Sequence, residues 1–238
     1  MISSLPRRLL AEFLGTALLV AVVVGSGIAA QQLSPDDVGL QLLENSMATV
    51  FGLAALILMF GPVSGAHFNP VVSLADWFLG RKAGKGLSLA EVGAYAVVQI
   101  AGGIGGAVLA NLMFDLDAVT ISTKDRATSG HLLAEIVATA GLVALIFALV
   151  RSNRGALAAP AVGGYIGAAY WFTSSTSFAN PAVTIGRIFS DTFAGIAPSS
   201  VAPFILAQLV GLVLGVLLIL ALYPGVGDKA DDVVVRPG

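Results

Sequence analysis

The 238-residue chain is 57% hydrophobic and only 11% charged, with a net charge of −2 and no cysteine. A soluble domain averages about 25% charged residues, so a water-soluble fold and disorder are both excluded, and without a basic stripe so is nucleic-acid binding. The missing cysteines exclude a disulfide framework, a thiol nucleophile and a thiolate metal site.

About 20 apolar residues cross about 30 Å of hydrocarbon. Six stretches qualify, at approximately 9–29, 40–60, 89–112, 132–150, 157–175 and 201–222. Arg7 and Arg8 ahead of the first stretch mimic a signal peptide. Glu12 interrupts that run, however, and the same acidic pattern recurs in the second half, so the stretch is read as a retained span. In this topology Arg7, Arg8, Arg81, Lys82, Lys85, Arg151, Arg154, Lys229 and Arg236 share one side, and only Lys124 and Arg126 fall on the other. The positive-inside rule then predicts a multi-pass protein of the inner (plasma) membrane with both termini cytoplasmic.

The two halves echo one another. Ala11-Glu12-Phe13 with Gly15-Thr16 is matched by Ala134-Glu135-Ile136 with Ala138-Thr139. His67-Phe68-Asn69-Pro70-Val71-Val72 is matched by Phe178-Ala179-Asn180-Pro181-Ala182-Val183, and Gln99 by Gln208. Three spans per half is an odd number, so the second copy enters from the opposite side. The expected fold is a single all-α membrane domain over 1–238, with six spans and two re-entrant half-helices in inverted repeats of about 7–112 and 131–222.

Each Asn-Pro opens a short apolar stretch, 71–79 and 182–193, too short to span a bilayer. Asn is a favoured N-cap and Pro a favoured first helical residue, so each motif starts a half-helix. Entering from opposite faces, the two half-helices would aim their positive dipole ends at one midplane zone. The Asn69 and Asn180 amides would there donate to a passing solute, and the positive centre would oppose cations and protons while neutral molecules pass.

On Ala11-Glu12-Phe13-Leu14-Gly15-Thr16, Ser64-Gly65-Ala66-His67-Phe68-Asn69-Pro70 and Asn180-Pro181-Ala182, the chain resembles the aquaporin (major intrinsic protein) family over about residues 7–222. The resemblance implies a homotetramer of independent pores in the lipid bilayer, passive bidirectional permeation of small neutral solutes, and no cofactor.

Three positions depart from the family pattern. Val71 ends the first motif. Val183 stands where the family usually has its selectivity arginine, and Thr184 where glycerol channels tend to have Asp. Family spacing places the rest of the constriction at Thr49 (or Phe51, if the segment near Gly61 is shorter by two), Ala168 and Ser177, with Val183 completing a ring of small uncharged side chains. Such a ring, aquaglyceroporin-like and without the arginine, is expected to desolvate partly apolar solutes at lower cost. The resemblance to arginine-lacking bacterial branches points to small polyols, metalloid hydroxides such as arsenite, and water.

Arg187 shares a helix face with Val183, about 6 Å further along the axis. It is a candidate for the pore mouth, unless it and its counterpart Asp76 snorkel or pair with loops. Glu12 and Glu135, acids inside spans, have two readings. They carry protons in a proton-coupled secondary transporter, or they accept backbone N–H groups of the re-entrant loops, with Gln99 and Gln208 as structural partners. His67 reads as a packed loop residue. Gly102 with Gly106, Gly163 with Gly167 and Gly211 with Gly215 read as close helix crossings. Tyr165, Tyr170, Trp171 and Phe172 read as interface anchors or packing. With two histidines and no His-Glu-x-x-His, no enzyme or metal site can be named.

Overall fold

The computed structural model describes residues 4–223. Lys229 and Arg236, assigned above to the cytoplasmic side, lie outside the described residues. The helices are α1 (Leu5–Leu33), α2 (Val38–Ser64), α3 (Pro70–Gly80), α4 (Leu89–Met113), α5 (Ser129–Arg151), α6 (Ala158–Phe172), α7 (Pro181–Gly186) and α8 (Pro198–Leu222). Short 3₁₀ turns follow α3 and α7 and precede α6, and no strand occurs among the described residues. Local chemistry sets the helix starts. Asp37 Oδ1 accepts the Leu40 N–H at 2.9 Å, Thr128 caps α5 through the His131 N–H, and Ser88 with Glu91 forms a reciprocal capping box on α4.

Among the described residues, five helices are long and apolar enough to cross a membrane. The fifth predicted span, 157–175, is shorter than expected. α6 holds 15 residues, about 22 Å at 1.5 Å per residue, and the chain leaves the helix at Thr173 in extended conformation. The second half-helix is also shorter than expected: α7 ends at Gly186, a 3₁₀ turn covers Arg187–Phe189, and the chain to 197 is irregular.

The halves correspond as α1/α5, α2/α6, α3/α7 and α4/α8. α1 packs chiefly on α4, and its counterpart α5 on α8. Glycine makes both crossings close. A Cβ on Gly106 would stand 2.1 Å from Ala17 O, and one on Gly215 2.8 Å from Ala140 O. The polarity is inverted relative to a soluble protein. Glu12, Thr16, Gln99, Glu135, Thr139 and Gln208 are wholly buried, while Leu58, Met59, Leu206, Val213 and Leu217 face outward. Lipid is the solvent that suits such a surface.

Candidate functional site: a pore between two opposed helix ends

The two re-entrant loops are held by the same device. Glu12 Oε1 accepts from Ser64 Oγ (2.6 Å) and the His67 N–H (3.0 Å), and Oε2 from the Phe68 N–H (2.7 Å) and Gln99 Nε2 (2.8 Å). In the other half Glu135 Oε1 accepts from Ser175 Oγ (2.7 Å) and the Phe178 N–H (2.9 Å), and Oε2 from the Ala179 N–H (2.8 Å) and Gln208 Nε2 (2.7 Å). Irregular backbone at membrane depth must find internal partners, and each carboxylate supplies acceptors for two N–H groups at once. The same two-fold pattern appears in the backbone. Ala66 and Phe68, and likewise Ser177 and Ala179, take left-handed conformations with φ between 46° and 50°. Both carboxylates are occupied by four donors and lie outside the lumen wall, which favours the structural reading of Glu12 and Glu135.

The Asn-Pro motifs meet. Asn69 Nδ2 donates to Ala179 O and Asn180 Nδ2 to Phe68 O, both at 2.8 Å. Each Asn also caps its own half-helix: Asn69 Oδ1 accepts from the Val71 N–H, and Asn180 Oδ1 from the Ala182 and Val183 N–H groups. Pro70 and Pro181, each the first residue of its half-helix, have no N–H to leave unpaired. A carboxamide carries two N–H donors. One on each Asn crosses to the opposite motif, and both side chains line the lumen, so one donor from each half remains for a solute. Ala182 is packed behind this junction, where its carbonyl lies against Gly103.

The lumen is narrow, about 60 Å³, room for only a few waters. Its wall is four helix stripes at i, i+4 spacing, one from each of α1, α2, α5 and α6, closed by the two loops and half-helices. Thr49, Leu53 and Ile57 form the α2 stripe; Val162, Ile166 and Tyr170 form the α6 stripe. His67, Ser177 and Val183 also line it, and His67 Nδ1 contacts Ser73 Oγ at 3.0 Å, as a packed loop residue would. Phe51 is 66% exposed on the opposite face of α2, so Thr49 is the lumen residue.

Two expectations are corrected. Ala168 is exposed and faces away from the lumen, because it lies two residues, about 200° around a helix, from Ile166. The side chain on that stripe is Tyr170, whose hydroxyl lies 3.1 Å from Thr49 Oγ1. Tyr170 is therefore a wall residue and no interface anchor, whereas Trp171 and Phe172 are exposed. The spacing Val162, Ile166, Tyr170 in the sequence is the signal that would have found it.

The second correction concerns charge. Val183 lines the lumen, but the lumen is not free of a guanidinium: Arg187 lines it too. Arg187 is 2% exposed, its Nε donates to Ala194 O, and its guanidinium carbon lies 3.4 Å from the Phe178 ring centroid. Asp76, at the equivalent place after Asn69, accepts the Leu87 N–H of the following loop at 2.7 Å and does not line the lumen. The loop before α5 packs over the Arg187 end. Arg126 Nε donates to Gly195 O and its Nη2 to Phe193 O, and Lys124 Nζ donates to the same Phe193 O. Burial, with Arg126 and Arg187 as like-charged neighbours, pushes the Lys124 ammonium down to about 8.

Residues 2–178 match the family described as Major intrinsic protein. The chain belongs to the major intrinsic protein family. Its relatives include the aquaglyceroporin AqpS of Rhizobium meliloti (strain 1021), 50% identical over 209 residues that cover 88% of this chain and 87% of AqpS. The propanediol uptake facilitator PduF of Citrobacter freundii is 27% identical over 175 residues, 64% of this chain and 62% of PduF. The structure of the aquaglyceroporin from Plasmodium falciparum shares the fold, with a TM-score of 0.66, 22% identity, and coverage of 96% of this chain and 99% of that one. Members of the major intrinsic protein family are channels and not enzymes, and this chain is a multi-pass membrane channel for small solutes. The family match stops two residues before Asn180, so the second motif rests on the geometry above.

Proposed function

We propose that this channel passes small neutral polyols such as glycerol, metalloid hydroxides such as arsenite, and water, by passive diffusion. The observation that carries the reading is Val183 in the lumen wall, three residues after Asn180, facing a stretch that includes Thr49 and Ser177. None of these side chains is large, and an isopropyl group binds no water that a solute must displace. The names of AqpS and PduF, an aquaglyceroporin and a propanediol facilitator, support a polyol-sized solute. The proposal includes a homotetramer in the plasma membrane, one pore per 1–238 domain, with both termini cytoplasmic. The pore-forming set is Asn69, Pro70, Val71, Asn180, Pro181 and Ala182 at the junction, and Thr49, Ser177 and Val183 in the filter, with Glu12, Glu135 and His67 supporting the loops.

A proton-coupled transporter would need Glu12 or Glu135 to exchange protons with the lumen. Each already accepts four hydrogen bonds and neither lines it, so the channel reading is the better supported. The test is stopped-flow light scattering on proteoliposomes challenged in turn with water, glycerol, urea and arsenite. Rapid, non-saturating entry of glycerol and arsenite with a low activation energy is expected. Saturable entry driven by a proton gradient would sink the proposal.

A further inference from the structure

We infer that Arg187 is the charge-selecting residue of this pore, standing one helical turn beyond the valine that sets its width. The inference deepens the proposed permeability and rests on it. Three observations carry it. Arg187 lines the same lumen as Val183 and Asn180 although it is 2% exposed. Its guanidinium is fixed from two directions, by the Nε bond to Ala194 O and by the Phe178 ring 3.4 Å away. Its two terminal nitrogens bond no acceptor among the described residues, and no carboxylate there forms an ion pair with it.

The surroundings reinforce the positive charge. Arg126 and Lys124 crowd the same end, and Arg126 also stacks over Phe178, at 5.2 Å. Glu135, beneath the loop, is held by its own four donors. Asp191, whose charge acts on Lys124, accepts from Thr123 and forms no ion pair with Arg187. A held guanidinium that no carboxylate pairs with, at a narrow passage, repels cations while neutral molecules pass. The structure thus separates two tasks. Val183 leaves room for a solute wider than water, and Arg187, about 6 Å further along, screens that solute for charge.

The test uses proteoliposomes of the full chain and two readouts per sample, glycerol entry by light scattering and potassium or methylammonium leak by tracer flux. The wild-type chain is expected to pass glycerol and hold back both cations. Arg187→Met is expected to keep glycerol entry within about threefold and to raise cation leak at least about tenfold, the factor that lowering a barrier by about 1.4 kcal/mol gives. Arg187→Lys restores the block. Arg126→Met, which alters a residue outside the lumen wall, stays tight. Arg187→Met that passes glycerol and remains tight to cations overturns the inference. Should Arg187→Met lose all flux, Arg187→Gln, which keeps a donor for Ala194 O, decides by the same criterion, and loss of all flux in both variants also overturns it. Wild-type glycerol entry tests the permeability separately, so either idea can fail alone.

Discussion

Val183 ends in two methyl groups, and the same wall carries the Ser177 hydroxyl, which has no hydrogen-bond partner among the described residues, and the Thr49 hydroxyl, which donates to Asn45 O. A guanidinium introduced there would reach across a lumen of about 60 Å³ and would stand one turn from Arg187. Val183→Arg is therefore expected to cut glycerol and arsenite entry about tenfold or more, equivalent to about 1.4 kcal/mol of barrier, with a smaller loss of water flux, read by stopped flow. An unchanged solute profile would mean that the constriction lies elsewhere. Residue-level legibility in the sequence followed the kind of chain being counted. The sequence left Thr49 and Phe51 as alternatives, and the stripe Thr49, Leu53, Ile57 along α2 separates them. Tyr170 was not legible, because between it and Asn180 the chain leaves the helix and passes through left-handed residues at Thr176, Ser177 and Ala179, so a fixed count lands on the wrong face. Arg187 was placed on the correct helix face by its spacing. Its lumen contact depends on how residues 190–197 fold back to present Ala194 O, which no local pattern encodes.

The half-helices and their supports form a unit that sequence symmetry announced in advance. Asn, Pro, Glu and Gln recur at matching offsets because each half must solve the same problem of feeding broken backbone into an apolar medium. Where the half-helix ends was less legible, since α7 stops at Gly186, whose backbone lies against Gly103 of α4. The glycine pairs were legible as crossings, and they carry a prediction of opposite signs on one helix. Gly106→Ala would place a methyl 2.1 Å from Ala17 O and force α1 from α4. Overpacking of this kind costs about 1–3 kcal/mol, so its unfolding temperature in detergent is expected to fall. Gly105→Ala meets nothing within 4 Å and gains helix propensity of up to about 1 kcal/mol, so its unfolding temperature should hold or rise. Equal losses in both variants would show that the α1–α4 crossing is not as close as described.

At the scale of the whole molecule, one end carries the basic residues and the other the folded-back loops. Arg81 stacks over Phe78 at 4.1 Å, and Arg8 pairs with Glu91 at that same end; Arg151 ends α5 and Arg154 follows it. Lys124 and Arg126 are the exceptions. Both donate to backbone carbonyls in the opposite loop, so they serve the pore end and do not mark the cytoplasmic side. With those two accounted for, the charge asymmetry supports the proposal that the Lys82 end is cytoplasmic. The natural chain has no cysteine, so single thiols can report the orientation without background. Lys82 and Asp117 are exposed in loops at opposite ends of α4. A membrane-impermeant maleimide added to intact cells is expected to modify the Asp117→Cys variant at once, and the Lys82→Cys variant only after the membrane is permeabilised. The reverse pattern would invert the orientation. Labelling of both from outside would mean that α4 does not cross the bilayer, and a pore formed between two half-helices entering from opposite faces could not then exist in the membrane.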